Sequence, residues 1–215
     1  MIKAVLFDLD GTFADTAPDL GYALNLMRET RNLAPVPIEV TRPVTSMGAR
    51  GLLGAGFGIT PDHPDYLPMR DEFLRLYEQN LCRDTRLFPG ISELVDALEM
   101  RGFKWGIVTN KAERFAKPLL DLLRLGDRAA CVIGGDTTGR TKPHPEPLLA
   151  ASRVIAVVPE SCVYVGDDQR DIDAGRAAGM RTVAVKYGYL NSSAPEDWGA
   201  DVVIEQPREL LQHLG

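Results

Sequence analysis

The sequence predicts an α/β fold, a doubly wound parallel sheet interrupted by an inserted all-helical block. Short apolar runs recur at Val5-Leu6-Phe7, Trp105-Gly106-Ile107-Val108, residues 130–133, Cys162-Val163-Tyr164-Val165 and Thr182-Val183-Ala184-Val185. Each has the length of a buried strand and is too short for a helix. The later runs are separated by stretches with helical spacing, and parallel strands need such crossovers. Between the first and second runs, residues 15–82 read as helix nearly throughout, too long for a simple crossover, so they form a separate module.

Taken in order, the first run ends in Asp8-Leu9-Asp10-Gly11-Thr12. Two carboxylates are thereby carried to a strand's C-terminal end, the edge where open α/β sheets receive ligands. Positions two apart emerge on one side of a strand, and Gly11 permits a turn directly afterwards. An Asp-x-Asp by itself is also what a polar strand exit or a helix cap looks like. It is not a calcium loop, because Thr12 and Phe13 stand where that loop needs an acid or amide and a glycine. Leu20, Ala23, Leu24 and Met27 then recur at helical spacing behind Thr16 and Pro18, and Pro35, Pro37 and Pro43 break the path. Gly51-x-x-Gly54-x-Gly56-x-Gly58 follows no strand and lacks dinucleotide-loop spacing, so flexible or close-packed helix joints are expected there. Phe73, Leu74, Leu76, Tyr77 and Leu81 form a further apolar stripe behind Asp65 and Pro68. The helical block is thus placed at 15–82, leaving 1–14 and 83–215 for the sheet domain.

After Phe88-Pro89-Gly90 the order is regular. A helix over 91–101 stops at Gly102, and the second strand ends in Thr109-Asn110-Lys111. A helix with Pro118 in its early part leads to the strand at 130–133, followed by Gly134-Gly135-Asp136 and a polar loop reaching Lys142-Pro143. A helix with Pro145 and Pro147 near its start precedes the fourth strand, which ends in Gly166-Asp167-Asp168. A helix through Ile172, Ala174, Ala177 and Ala178 stops at Gly179. The fifth strand follows, and Val202-Val203-Ile204 and Leu210-Leu211 finish the chain.

With 215 residues, 45% hydrophobic and 25% charged, the chain is long enough for one substantial core with an inserted module. A net charge of −6 provides no global field for nucleic acid or an anionic membrane, so an anionic substrate must be held by local groups. No apolar stretch reaches a membrane span and no signal-peptide core follows the N-terminus, which makes the cytoplasm the expected location. Cys82, Cys131 and Cys162 are odd in number and far apart, and read as free thiols rather than a disulfide framework or a zinc site. His63, His144 and His213 are equally scattered, and no serine or cysteine nucleophile with a histidine base is indicated.

The first, second and fourth strands end in Asp8 and Asp10, in Thr109 and Asn110, and in Asp167 and Asp168. Parallel strands bring these ends to one edge, and the loop after the third strand adds Lys142. Singly, each has an ordinary reading: a strand-end threonine, a loop lysine, a helix N-cap pair. Jointly they suit phosphoryl transfer. Hard oxygen ligands favour Mg²⁺, which would bridge Asp8 and Asp167 to a phosphate oxygen, while Thr109 holds other phosphate oxygens and Lys142 stabilises developing charge.

On these residues the chain resembles the haloacid dehalogenase superfamily, specifically its small phosphatases with a helical cap, such as phosphoglycolate phosphatases. Asp8-Leu9-Asp10-Gly11-Thr12, Val108-Thr109-Asn110-Lys111, Lys142-Pro143 and Gly166-Asp167-Asp168 with Asp171 match the family's four motifs in order, over the full length. The resemblance implies a phosphomonoester hydrolase in which Asp8 forms an aspartyl-phosphate and Asp10 is the acid/base. It places Mg²⁺ at Asp8, Asp167 and the Asp10 carbonyl with Asp168 supporting it, leaves open whether Asp168 or Asp171 touches the metal directly, and gives phosphoryl binding to Thr109, Asn110 and Lys142. Asp10 argues against a dehalogenase proper, which lacks this second aspartate. Phe13 stands where related phosphatases have Leu or Val.

The same resemblance makes 15–82 the cap that covers a small phosphomonoester, with Ser46-Met47-Gly48-Ala49-Arg50 as its substrate loop. Arg50 and Gly48 are its candidate contacts, and a solvated helix-start arginine is the plainer alternative. This loop, with Lys186-Tyr187-Gly188-Tyr189 and Trp198-Gly199-Ala200-Asp201, looks closer to bacterial N-acetylmuramic acid 6-phosphate phosphatases of peptidoglycan recycling than to phosphoglycolate enzymes. A sugar-phosphate mutase of the same family is the nearest alternative. A receiver-like phosphorylation switch is a more distant one, disfavoured because its phosphoacceptor lies on a later strand and it has no helical insertion. A monomer or homodimer is expected, without nucleic acid or membrane partners.

Overall fold

The computed structural model describes residues 1–190 and 194–215. It divides into two compact units, one of residues 1–14 and 87–215 and the other of residues 15–86. The first unit opens with β1 (Ala4–Phe7), wholly buried as its apolar run requires. The chain leaves it through β2 (Ala14–Asp15) and passes through α1 (Ala17–Glu29), α2 (Ile38–Thr41), a 3₁₀ turn, α3 (Gly48–Phe57) and α4 (Tyr66–Gln79). It returns through β3 (Arg86–Leu87), which pairs with β2.

The helical unit is held together by α1 packing on α3 and α4. Leu20, Ala23, Leu24 and Met27 of α1 form its buried stripe, at the helical spacing read from the sequence. Two of the glycines of α3, Gly51 and Gly56, are close-packing positions. A Cβ on Gly56 would lie 2.6 Å from the Leu24 side chain, and one on Gly51 would lie 2.4 Å from the Val44 carbonyl oxygen.

The unit extends four residues beyond the sequence boundary at 82. The buried Asp19 carboxylate accepts the N–H of Asp84 at 2.7 Å and both the N–H and the hydroxyl of Thr85, at 3.1 and 2.6 Å, tying that segment to α1. At the outgoing crossing, Arg42 grips Asp15 through two bonds of 3.0 and 2.9 Å.

The sheet unit continues with α5 (Ile91–Met100), β4 (Lys104–Val108), α6 (Glu113–Leu122), β5 (Val132–Ile133) and α7 (Glu146–Ile155). It ends with β6 (Cys162–Gly166), α8 (Gln169–Ala177), β7 (Arg181–Val185), β8 (Val202–Ile204) and a 3₁₀ segment. Pro118 lies inside α6, and β5 keeps only two residues of the expected strand. All six strands are parallel in the order β5-β4-β1-β6-β7-β8, so the sheet is doubly wound and reverses direction between β1 and β6. Phe7 pairs with Ile107 on one side and Val165 on the other, which brings the ends of β4, β1 and β6 level.

The three cysteines are free, and burial pushes the Cys131 thiol up to about 12 and Cys162 to about 11, so neither is a ready thiolate. Among the described residues no helix is long and apolar enough to cross a membrane.

Candidate active site

The site is built where the sheet reverses. Asp8 follows β1, and its N–H donates to the Val165 carbonyl at 2.9 Å, continuing the ladder one residue past the strand. Asp167 follows β6. Its carboxylate accepts the Thr12 hydroxyl at 2.9 Å and the Tyr189 N–H at 2.8 Å. This approach requires glycine on both flanks. Gly11 adopts φ +88°, and a Cβ there would fall 2.1 Å from an Asp167 oxygen, while a Cβ on Gly188 would fall 2.3 Å from the Asp167 Cβ.

Lys142 reaches the cluster from the loop after β5. Its Nζ lies 2.8 Å from Asp8 Oδ1, 2.7 Å from Asp171 Oδ1, 2.7 Å from the Tyr164 hydroxyl and 3.1 Å from the Val108 carbonyl. Asp8, Asp167 and Asp171 each offer an oxygen within 4.8 Å of the others.

Three carboxylates around one ammonium set the electrostatics. Burial, reinforced by the charges of Asp8 and Asp171, pushes Asp167 well above the usual carboxylate range. Burial also raises Asp171, against the pull of Lys142, to about 6. Burial alone would depress the Lys142 ammonium, yet the carboxylates of Asp171 and Asp8 outweigh it and the group is raised. Among the described residues no cation pairs with Asp167. Three clustered hard oxygens with one compensating charge fit a divalent cation such as Mg²⁺ or Mn²⁺ far better than a soft thiophilic metal.

The neighbouring acid has a different fate. Asp168, expected beside the metal, caps α8 by accepting the Arg170 N–H at 2.9 Å and grips the Arg170 guanidinium at 2.7 and 2.8 Å. Burial works to raise its carboxyl, but Arg170 prevails and holds it below the ordinary range. Asp171 takes the place in the cluster because α8 begins between the two acids, with Asp168 as its N-cap and Asp171 in its first turn. One helical turn past the cap, its side chain comes back to accept the Asp168 N–H at 3.1 Å while facing Lys142.

Asn110, expected on the phosphate, uses its side chain to hold the backbone of Lys142. Its carbonyl oxygen accepts the Lys142 N–H at 2.9 Å and its amide donates to the Lys142 carbonyl at 3.0 Å, mimicking a strand partner. Thr109 is buried at the end of β4, where its hydroxyl oxygen accepts the Lys111 N–H at 3.2 Å and keeps its own proton for another acceptor. Asp10 is paired with the Lys111 ammonium at 2.9 and 3.1 Å, a contact no local pattern foretold. Gly48 opens α3 with φ +61°, and Arg50 lies exposed in the first turn of that helix.

Residues 5–185 match the haloacid dehalogenase-like hydrolase family. The chain is 44% identical over 99% of its length to an N-acetylmuramic acid 6-phosphate phosphatase of Pseudomonas aeruginosa, covering 95% of that protein. It is 46% identical over 98% of its length to a phosphoglycolate phosphatase of Xanthomonas campestris, again covering 95%. A crystal structure described as a predicted phosphoglycolate phosphatase from Haemophilus somnus superposes with a TM-score of 0.88 at 26% identity, covering all of this chain and 98% of that one. The acids at the sheet reversal, the lysine that joins them and a family match spanning most of the chain agree, and the protein belongs to the haloacid dehalogenase-like hydrolases.

Proposed function

We propose that the protein is a Mg²⁺-dependent phosphomonoester hydrolase acting through a phosphorylated Asp8 on a substrate that carries a carboxylate besides its phosphate. One observation carries this reading: Asp8, at the sheet reversal, has one oxygen bonded to Lys142 while its side chain keeps 11% exposure, enough to be reached by a substrate. Asp8 attacks phosphorus and the ester P–O bond breaks, the departing oxygen taking a proton from Asp10. Water then attacks the acyl-phosphate with Asp10 as base, releasing phosphate and restoring Asp8. Thr109 donates its hydroxyl proton to a phosphoryl oxygen, and Lys142 offsets the charge that develops beside Asp8. Asp8, Asp167, Asp171 and the Asp10 carbonyl would hold Mg²⁺, whose positive charge would let an anionic ester approach three acids.

Substrate choice cannot come from groups that touch only phosphate. N-acetylmuramic acid 6-phosphate and 2-phosphoglycolate, named for relatives of near-equal identity, share one feature beyond the ester, a carboxylate. A guanidinium is the natural reader of that group, which assigns substrate recognition to the loop of Gly48 and Arg50 in the cap.

Phosphate release from both acids, from N-acetylglucosamine 6-phosphate and from a sugar bisphosphate tests the reading. Efficient turnover of one or both carboxylate-bearing esters is expected, silenced by EDTA and restored by Mg²⁺. Asp8→Asn should keep the fold and remove turnover by about 10⁴-fold or more. Return of phosphate to a sugar instead of its release would establish a mutase.

A further inference from the structure

We propose that Tyr164 is a positioning residue that aims the Lys142 ammonium at Asp8; this rests on the phosphatase reading above. Tyr164 sits on β6 with its side chain fully buried, in an apolar cluster that includes Leu6, Val108, Ile133 and Leu148. A phenylalanine would satisfy that packing, so the hydroxyl requires its own explanation. It lies 2.7 Å from the Val108 carbonyl oxygen and 2.7 Å from Lys142 Nζ, with Asp171 Oδ1 at 3.4 Å.

Counting protons assigns the direction of each bond. The Val108 carbonyl can only accept, so the single hydroxyl proton goes to it, and the hydroxyl oxygen must accept from Lys142. The ammonium has three protons and three close acceptors: Asp8 at 2.8 Å, Asp171 at 2.7 Å and Tyr164 at 2.7 Å. The Val108 carbonyl, at 3.1 Å, is the most distant of its partners and is shared with the tyrosine hydroxyl, which lies closer to it at 2.7 Å. Tyr164 thus receives the third ammonium proton and engages the carbonyl that would otherwise compete more strongly for it. Asn110 holds the same residue by its backbone, so Lys142 is fixed at both ends of a flexible side chain.

Removing the hydroxyl leaves the Val108 carbonyl to Lys142 alone and redirects the third N–H towards it. The ammonium then turns relative to Asp8, and small displacements of a charged group in an active site cost rate rather than ground-state binding. The test is Tyr164→Phe, which keeps the ring. The expected result is a kcat for p-nitrophenyl phosphate lowered by about tenfold or more with KM within about twofold. In a Lys142→Met background the same substitution should have no further effect, since the group it aims is gone.

An activity-independent readout separates this proposal from the phosphatase reading. The Lys142 ammonium should give a protected ¹⁵N–¹H correlation, identified by its loss in Lys142→Arg, that shifts or exchanges away in Tyr164→Phe. An unchanged ammonium signal overturns the proposal whatever the enzyme's activity. Equal kcat losses with and without Lys142 also overturn it, because they would mark the hydroxyl as structural. Absence of phosphatase activity in the wild type would instead defeat the reading on which it rests, while the ammonium signal still reports the contact.

Discussion

The sheet reversal and the helical unit are built to opposite specifications. At the reversal, Asp8, Asp167, Asp171 and Lys142 are all buried, and each is held by side chains or backbone from several parts of the chain. In the helical unit the charged groups lie mostly at the surface, as in the Arg31–Glu72 pair, where solvent screens them, and Arg50 is exposed. Its buried acid, Asp19, serves only to tie down the returning chain. A reacting oxygen must be placed to a fraction of an ångström, which demands many constraints, whereas a group that chooses among substrates has to stay accessible. The contrast predicts that substitutions at the reversal act on every ester alike, and that substitutions in the helical unit act on some.

The largest effect after loss of the nucleophile is expected at Asp10. Asp10→Asn keeps the size and the backbone carbonyl and removes proton transfer, worth about 10²–10⁴-fold with alkyl phosphates. p-Nitrophenyl phosphate, whose leaving group needs no proton, should lose much less. An equal loss on both would show that the Asp10–Lys111 pair supports the site's architecture rather than its proton transfer.

The adjacent acids Asp167 and Asp168 sharpen the comparison within the reversal itself. Asp167→Asn should lower activity by about 10²-fold or more and raise the Mg²⁺ concentration needed, because it removes a candidate ligand that nothing else replaces. Asp168→Asn keeps a competent N-cap and loses only the Arg170 pair, so activity should fall by no more than a few-fold. Steady-state rates across a Mg²⁺ titration check both, and similar losses would place Asp168 at the metal after all.

The most selective effect is expected in the helical unit. Arg50→Ala should lower kcat/KM for the carboxylate-bearing substrate by roughly 10- to 100-fold, as for a lost charge-assisted hydrogen bond. Hydrolysis of p-nitrophenyl phosphate should hardly change. Equal losses on both esters would remove the distinction between the two regions.

The sequence by itself determined the α/β class, the parallel sheet and the presence of a helical insertion, because apolar period, strand length and turn residues are local properties. It also indicated that Asp8, Thr109, Lys142 and Asp167 belong to one sheet edge, since strand ends in a parallel sheet share an edge whatever their order. Tertiary structure decided which atoms meet. Asp168 closes the fourth strand's exit in the sequence, and Asp171 follows three residues later. Only the start of α8 turns the first towards Arg170 and the second towards Lys142, although their capping-box spacing was a readable hint. Asn110 faces the Lys142 backbone 32 residues away, and Lys111 faces Asp10 across 101. Asp19 moved the end of the helical unit to residue 86 by bonding 65 and 66 residues along the chain. Tyr164 offered one signal, a hydroxyl in an otherwise apolar strand, but its partners come from β4 and the loop after β5. Directional bonds between such distant segments depend on side-chain rotamers and strand register, and no local pattern encodes those.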